Sequence, residues 1–170
     1  ESAEHRAAVR TRMAHILAEA DRYSEAADAI EPLIDTETGP DARANIATDY
    51  LRYLMLAGRF REAALTGERL AFDESLGRHG PSVLYATWLA QRPLGDRERI
   101  MATEARFLAE YPDHALGADL RYTAALDAIA AGNIELARRL LEEVQFKYPD
   151  SSLNKRAREI RASLGAGHAP

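Results

Sequence analysis

Residues 53–70 read YLMLAGRFREAALTGERL, and this stretch decides the fold. The apolar run stops at Gly58, Phe60 follows two residues later, and a second apolar pattern starts at Ala63. Glycine accepts the left-handed backbone that ends a helix, where a Cβ costs energy. A helix that stops there and restarts at once is a helical hairpin. The turn recurs: Gly95 and Gly132 follow Gly58 at intervals of 37 residues, and Asp21 stands one interval before it. The four turns read ADRYSEAA, AGRFREAA, LGDRERIM and AGNIELAR. Tyr23, Phe60, Arg97 and Ile134 share one column. Ala26, Ala63, Ile100 and Ala137 form a second, and Leu33, Leu70, Phe107 and Val144 a third. YPDH from Tyr111 and YPDS from Tyr148 repeat at the same interval. A fixed period of this size marks stacked supersecondary units.

Each unit is expected to be a pair of helices. First helices are expected over 4–20, 41–57, 81–92 and 115–131, and second helices over 24–35, 61–72, 97–111 and 134–148. In NIELARRLLEEVQFKY, Ile134, Ala137, Leu141 and Val144 fall on one helical stripe. Pro112 and Pro149 end second helices, because proline disfavours helix at the residue before it. Small alanines near the start of the second helices let two backbones approach closely. Alternation is absent and β-branched residues are few, so no strand competes. A last helix over 152–164 carries Leu153, Ala157, Ile160 and Leu164 on one face and Lys155, Arg156, Arg158 and Arg161 on the other. One apolar and one charged side is the pattern of a terminal cap. The expectation is an all-α domain over 1–164, with units at 4–38, 41–75, 81–112 and 115–149, the cap, and a flexible tail over 165–170.

Bulk composition narrows the function. The chain has 170 residues, 46% hydrophobic and 29% charged, within the ordinary globular range. A net charge of -5 argues against nucleic acid as the main partner, since phosphate binding wants a basic face. With no cysteine, disulfides, thiolate zinc sites and cysteine nucleophiles are excluded. No apolar run approaches the ~18 residues of a membrane span, and no stretch of the given residues reads as a signal peptide. The chain starts at Glu1 rather than Met, so the expectation is a processed product or a fragment of a larger protein.

These units resemble the tetratricopeptide repeat family. Its helix–turn–helix unit has a glycine turn, an aromatic two residues later, an alanine in the second helix and a proline at its end. The second unit gives Gly58, Phe60 and Ala63, and the fourth gives Gly132, Ala137 and Pro149. The resemblance covers about residues 4–164 and implies a right-handed α-solenoid of about four repeats with a C-terminal capping helix. The period of 37 departs from the family's usual 34. The third unit inserts Pro93 before its turn and puts Arg97 where an aromatic belongs, and the first has Asp21 in place of glycine. FLAEYPDH and FKYPDSSLNKRAREI look most like the bacterial envelope subgroup. That subgroup includes the lipoprotein of the outer-membrane β-barrel assembly machinery and the Tol–Pal-associated coordinator. AGRFREAALTGERLA looks equally like repeats in large bacterial transcription regulators. The compartment leans to the envelope or periplasm, with the cytoplasm open.

The resemblance also implies a concave face lined by first helices. Carried over one at a time, its groove positions are Thr11 and His15 in the first unit, and Asn45, Thr48 and Arg52 in the second. Tyr85 and Leu89 follow in the third, and Tyr122, Leu126 and Ile129 in the fourth. Tyrosine and arginine dominate binding hot spots, so an extended peptide or a partner helix is the expected occupant. Against this stands packing, because aromatics at helical spacing are usually core. Family members that grip a C-terminal carboxylate use lysine and asparagine where Thr11 and His15 stand, which argues against a clamp of that type.

Other constellations are weaker. His5, His15, His79, His114 and His168 are dispersed, and His15 with Glu19 gives only two ligands on one helix, so no metal or other cofactor is expected. NKRAREIR is interrupted by Glu159 and reads as a solvated face. Trp88 falls in the apolar column of Leu51 and Ala125 and reads as core. Glu142 and Glu143 diverge on a helix, and no phosphate loop or serine elbow is present. The leading expectation is a non-catalytic scaffold for protein–protein interaction. The alternatives are a self-assembly module, with Trp88, Leu89 and Pro93 as its patch, and a sensor segment of a larger bacterial regulator.

Overall fold

A computed structural model describes residues 3–36, 39–73, 76 and 79–166. Among them the chain is all-helical, with no strand. It divides into two compact units, Glu1–Ala105 and Arg106–Pro170.

The first unit holds α1 (Ala3–Glu19), α2 (Tyr23–Ile30), α3 (Leu33–Thr36), α4 (Pro40–Leu56), α5 (Phe60–Ala71) and α6 (Gly80–Gln91). A 3-10 turn, Arg92–Leu94, follows α6, and α7 (Arg97–Glu110) runs across the division. α1 packs on α2, α2 on α4, α4 on both α5 and α6, and α5 on α6. Ala26, Ala27, Ala47 and Ala63 sit fully buried in their shared core, where small side chains let the helices close up around Leu51, Leu54, Tyr50 and Tyr53. In the second unit, α8 (Leu116–Ala130) packs on α9 (Ile134–Lys147), and α9 on α10 (Asn154–Ala166). Ala125, Leu141, Val144 and Ala157 form the centre, and Leu153, Ile160 and Leu164 pack against it.

The turns share one backbone device. Asp21, Gly58, Gly95 and Gly132 all have positive φ, at 57°, 75°, 73° and 73°. At Gly58 the N–H donates to the Met55 carbonyl and the next N–H, of Arg59, reaches back to Leu54 at 2.8 Å. Asp21 and Arg22 repeat the pattern onto Ala18 and Leu17, and Gly132 and Asn133 onto Ile129 and Ala128. This paired closure satisfies helix-end carbonyls that would otherwise be orphaned. The third turn differs. Pro93 has no N–H to donate, and the chain tightens into the 3-10 turn, with Gly95 N–H on the Arg92 carbonyl.

The second helices also start in two related ways. Asn133 accepts from the Leu136 N–H at 3.2 Å and Asp96 from the Arg99 N–H at 3.2 Å, both ordinary N-caps. At the matching positions Arg22 and Arg59 cannot accept. Each instead pairs with the glutamate three residues on, Arg59 with both carboxylate oxygens of Glu62 at 2.8 and 2.9 Å.

Helix boundaries fall within a residue or two of those expected, with one correction. The single second helix expected over 24–35 is two pieces, α2 and α3. Pro32 lacks the N–H that would bond the preceding turn, and its ring crowds the carbonyl there. Residues 165 and 166 of the expected tail close α10, and 167–170 lie outside the described residues. The surface patch expected around Trp88 is also corrected. Trp88 is 2% exposed and lies in the core, Leu89 is half-buried, and only Pro93 of the three stands in the open.

Candidate functional site

The expected groove positions divide between the two units. In the first, α1 and α4 face each other across an open groove of about 850 Å³. Its floor is apolar and low: Ala7 and Ala8 come from α1, and Ala42 and Ile46 from α4. Side chains this small leave room for another backbone to come close. Thr11 and His15 of α1 face Asn45 and Thr48 of α4 across it. The spacing explains the convergence, because residues three or four apart on a helix share a face. Ser82 of α6 and His79 just before it close the end of the groove, and Arg12 stands at its edge.

The polar groups there are partly committed. Thr48 donates to the Ala44 carbonyl at 2.8 Å, which turns its hydroxyl back on its own helix. Asn45 is exposed, and its amide offers both donors and acceptor. His79 Nε2 lies 2.9 Å from Asp41, and His15 Nε2 lies 3.3 Å from Asp49. Asp49 also accepts from Arg52 at 2.7 Å, so it stands between a histidine and an arginine. A second hollow of about 310 Å³ adjoins, with His15 common to both. Arg52 lies over the Tyr53 ring there, 4.8 Å from its centroid, and Tyr23 and Leu56 complete the wall. Burial raises the Tyr53 phenol above its ordinary value, with the Asp49 charge adding to it, so the ring stays a neutral face for the guanidinium.

The remaining expected positions behave differently. Tyr85 is half-buried and stacked on Trp88, with ring centroids 5.7 Å apart. The α6 contribution to the groove comes from Ser82, one turn earlier, and Leu89 is half-buried. In the second unit Tyr122 is 8% exposed and belongs to the α8–α9–α10 core, as packing would have it. Leu126 is 40% exposed on α8, and Ile129 is half-buried. Thr11, His15, Asn45 and Thr48 are therefore brought together, with Arg52 next to them, while Tyr85 and Tyr122 pack.

Among the polar and charged contributors, Glu4, Arg12, Asp49, His79 and Ser82 had been missed. Asp49 was signalled by its i, i+3 spacing to Arg52, a favourable pair on any helix. His79 and Ser82 carried no such signal, because they follow an irregular link.

Among the described residues no group of three or more His, Asp or Glu could hold a metal ion, and no helix is long and apolar enough to cross a membrane. No family model matches the chain, and no curated protein matches it at a significant level.

Proposed function

We propose that the chain is a helical-repeat scaffold of the tetratricopeptide type. Its four helix pairs would form a right-handed solenoid with α10 as the C-terminal cap, holding an extended peptide of a partner protein against its first helices. The repeat is supported by four left-handed turns at a 37-residue interval, three of them closed by the same pair of hydrogen bonds. One observation carries the function: the groove of about 850 Å³ gathers Thr11, His15, Asn45 and Thr48, the inner positions of the first two units. The low apolar floor suits a peptide backbone, and the Asn45 amide can satisfy a backbone N–H and C=O together. No catalytic step, cofactor or nucleic acid enters this proposal.

Selection of displayed random peptides on the folded chain tests it. Selected peptides should bind with micromolar or better affinity and lose at least about tenfold with Asn45→Arg, a charge and bulk placed in the groove. Peptides that bind the Asn45→Arg chain equally well would refute the groove.

Self-assembly is a second proposal, favoured by one observation. Val9, Met13 and Ile16, at helical spacing on α1, are 53%, 45% and 53% exposed, an apolar stripe such as an interface would cover. A monomer mass from micromolar to millimolar concentration would remove it.

A further inference from the structure

A smaller hollow of about 220 Å³ lies where α5, the end of α6 and the start of α7 meet, away from the first-helix groove. It would hold about seven waters at ~30 Å³ each and is below the ~300 Å³ of most drug-sized sites. That is the scale of one small metabolite. Its lining combines three kinds of group.

Gln91 is 1% exposed, and its Nε2 donates to Glu68 at 3.0 Å. A carboxylate only accepts, so this bond fixes the amide orientation and leaves Oε1 as the free end. That oxygen is buried with no partner, which is rare and costly in a folded chain. Arg61 is exposed and makes no ion pair among the described residues. Arg99 spans two acids, its Nη1 3.3 and 3.4 Å from the Glu68 oxygens and its Nε 3.4 Å from Asp96, all at the long end of the hydrogen-bond range. Leu65 and Leu94 are 52% and 42% exposed and supply an apolar wall.

We propose that this hollow binds a free aliphatic α-amino acid. Arg61 and Arg99 would take the carboxylate, Asp96 the ammonium, and Leu65 and Leu94 the side chain. The charges around it, Arg61 and Arg99 against Asp96 and Glu68, sum to zero. A zwitterion leaves that balance unchanged, whereas a fatty acid or a peptide C-terminus brings an uncompensated negative charge. The Asp96 carboxylate calls for an ammonium, charged and with three N–H groups, rather than a neutral amide with one. The hollow would make the scaffold responsive to a metabolite, and it does not depend on the peptide groove.

Calorimetric titration of the whole chain with L-leucine, L-isoleucine and L-valine tests this, with N-acetyl-L-leucine, L-leucine amide and an acetylated tripeptide ending in leucine alongside. At least one free amino acid should bind saturably at one site. Blocking its amine or its carboxylate should weaken binding about tenfold or more, and Arg61→Gln should do the same without changing the melting temperature. Asn45→Ala should leave the binding intact, which separates this site from the groove. No saturable binding of any free amino acid would overturn the proposal. So would a blocked form or the tripeptide binding as tightly, or full affinity retained by Arg61→Gln.

Discussion

Asp21 holds the backbone conformation that glycine takes at Gly58, and the two solve one problem differently. A left-handed residue with a Cβ is strained, and Asp is among the few that tolerate it. Asp21 also accepts from the Tyr23 hydroxyl at 2.5 Å, which helps hold its turn. At Gly58 nothing lies within 4 Å of where a Cβ would stand, so the only cost there is conformational. Gly58→Ala should therefore destabilise the first unit by about 1–2 kcal/mol in denaturant titration while leaving the helices intact. Asp119 of α8 offers a pH test. Burial holds its carboxyl above the ordinary value, so the folded chain binds this proton more tightly than the unfolded chain. Stability contributed there is present below the ordinary value and is lost as pH rises through the raised one. Asp119→Asn should be more stable than the parent at pH 7, and the difference should shrink as pH falls towards 4. Curves that stay parallel across that range would contradict a carboxyl desolvated by partial burial.

Elements were the most legible level of the sequence, and their failures are local. Periodicity and glycine gave the helix pairs, since each turn has a residue of positive φ and three of the four close through the same pair of backbone hydrogen bonds. The break at Pro32 was missed because the apolar stripe runs on through Leu33 and Ile34, both buried, and only the backbone feels the missing N–H. Tyr122 was left between groove and core because periodicity gives direction around a helix but not depth. The cover that α9 and α10 lay over it comes from distant parts of the chain. The groove was half legible: register found Thr11, His15, Asn45 and Thr48, whereas His79 and Ser82 follow a link with no pattern. Close packing against α8 is another property invisible to pattern. An alanine Cβ at Gly117 would stand 2.3 Å from the Tyr148 hydroxyl, which donates to the Pro112 carbonyl at 3.1 Å. Gly117→Ala should displace that ring and destabilise the second unit by about 1–3 kcal/mol, read by thermal melting. Gly117→Ala combined with Tyr148→Leu should recover part of the loss, because the clash is then relieved.

At the scale of the whole molecule, charged side chains tie helices that are distant in sequence. Arg59 donates to Asp28 at 2.6 Å and to the Ser24 hydroxyl at 3.2 Å, while gripping Glu62 of its own helix. Glu62 in turn accepts from the buried Tyr50 hydroxyl at 2.9 Å, so α2, α4 and α5 meet through one guanidinium. These hydrogen bonds raise the Arg59 pKa, the Asp28 bond most, and the side chain stays charged. Arg59→Ala should cost about 1–2 kcal/mol, less than buried charge pairs lose because Asp28 is half exposed. Arg59→Lys should recover little, having no fork to bridge both carboxylates. This network holds α4, one wall of the proposed groove, in place before anything binds, which would lower the cost of ordering a bound peptide. The most direct test places a photoreactive side chain at Asn45 and, as a control, at Lys155 on the outer face of α10, in cells of the source organism. If the groove holds a peptide, Asn45 should crosslink to one short segment of a partner protein, identified by mass spectrometry, and Lys155 should not. Crosslinks of equal yield from both positions, or from Lys155 alone, would contradict binding on the first helices.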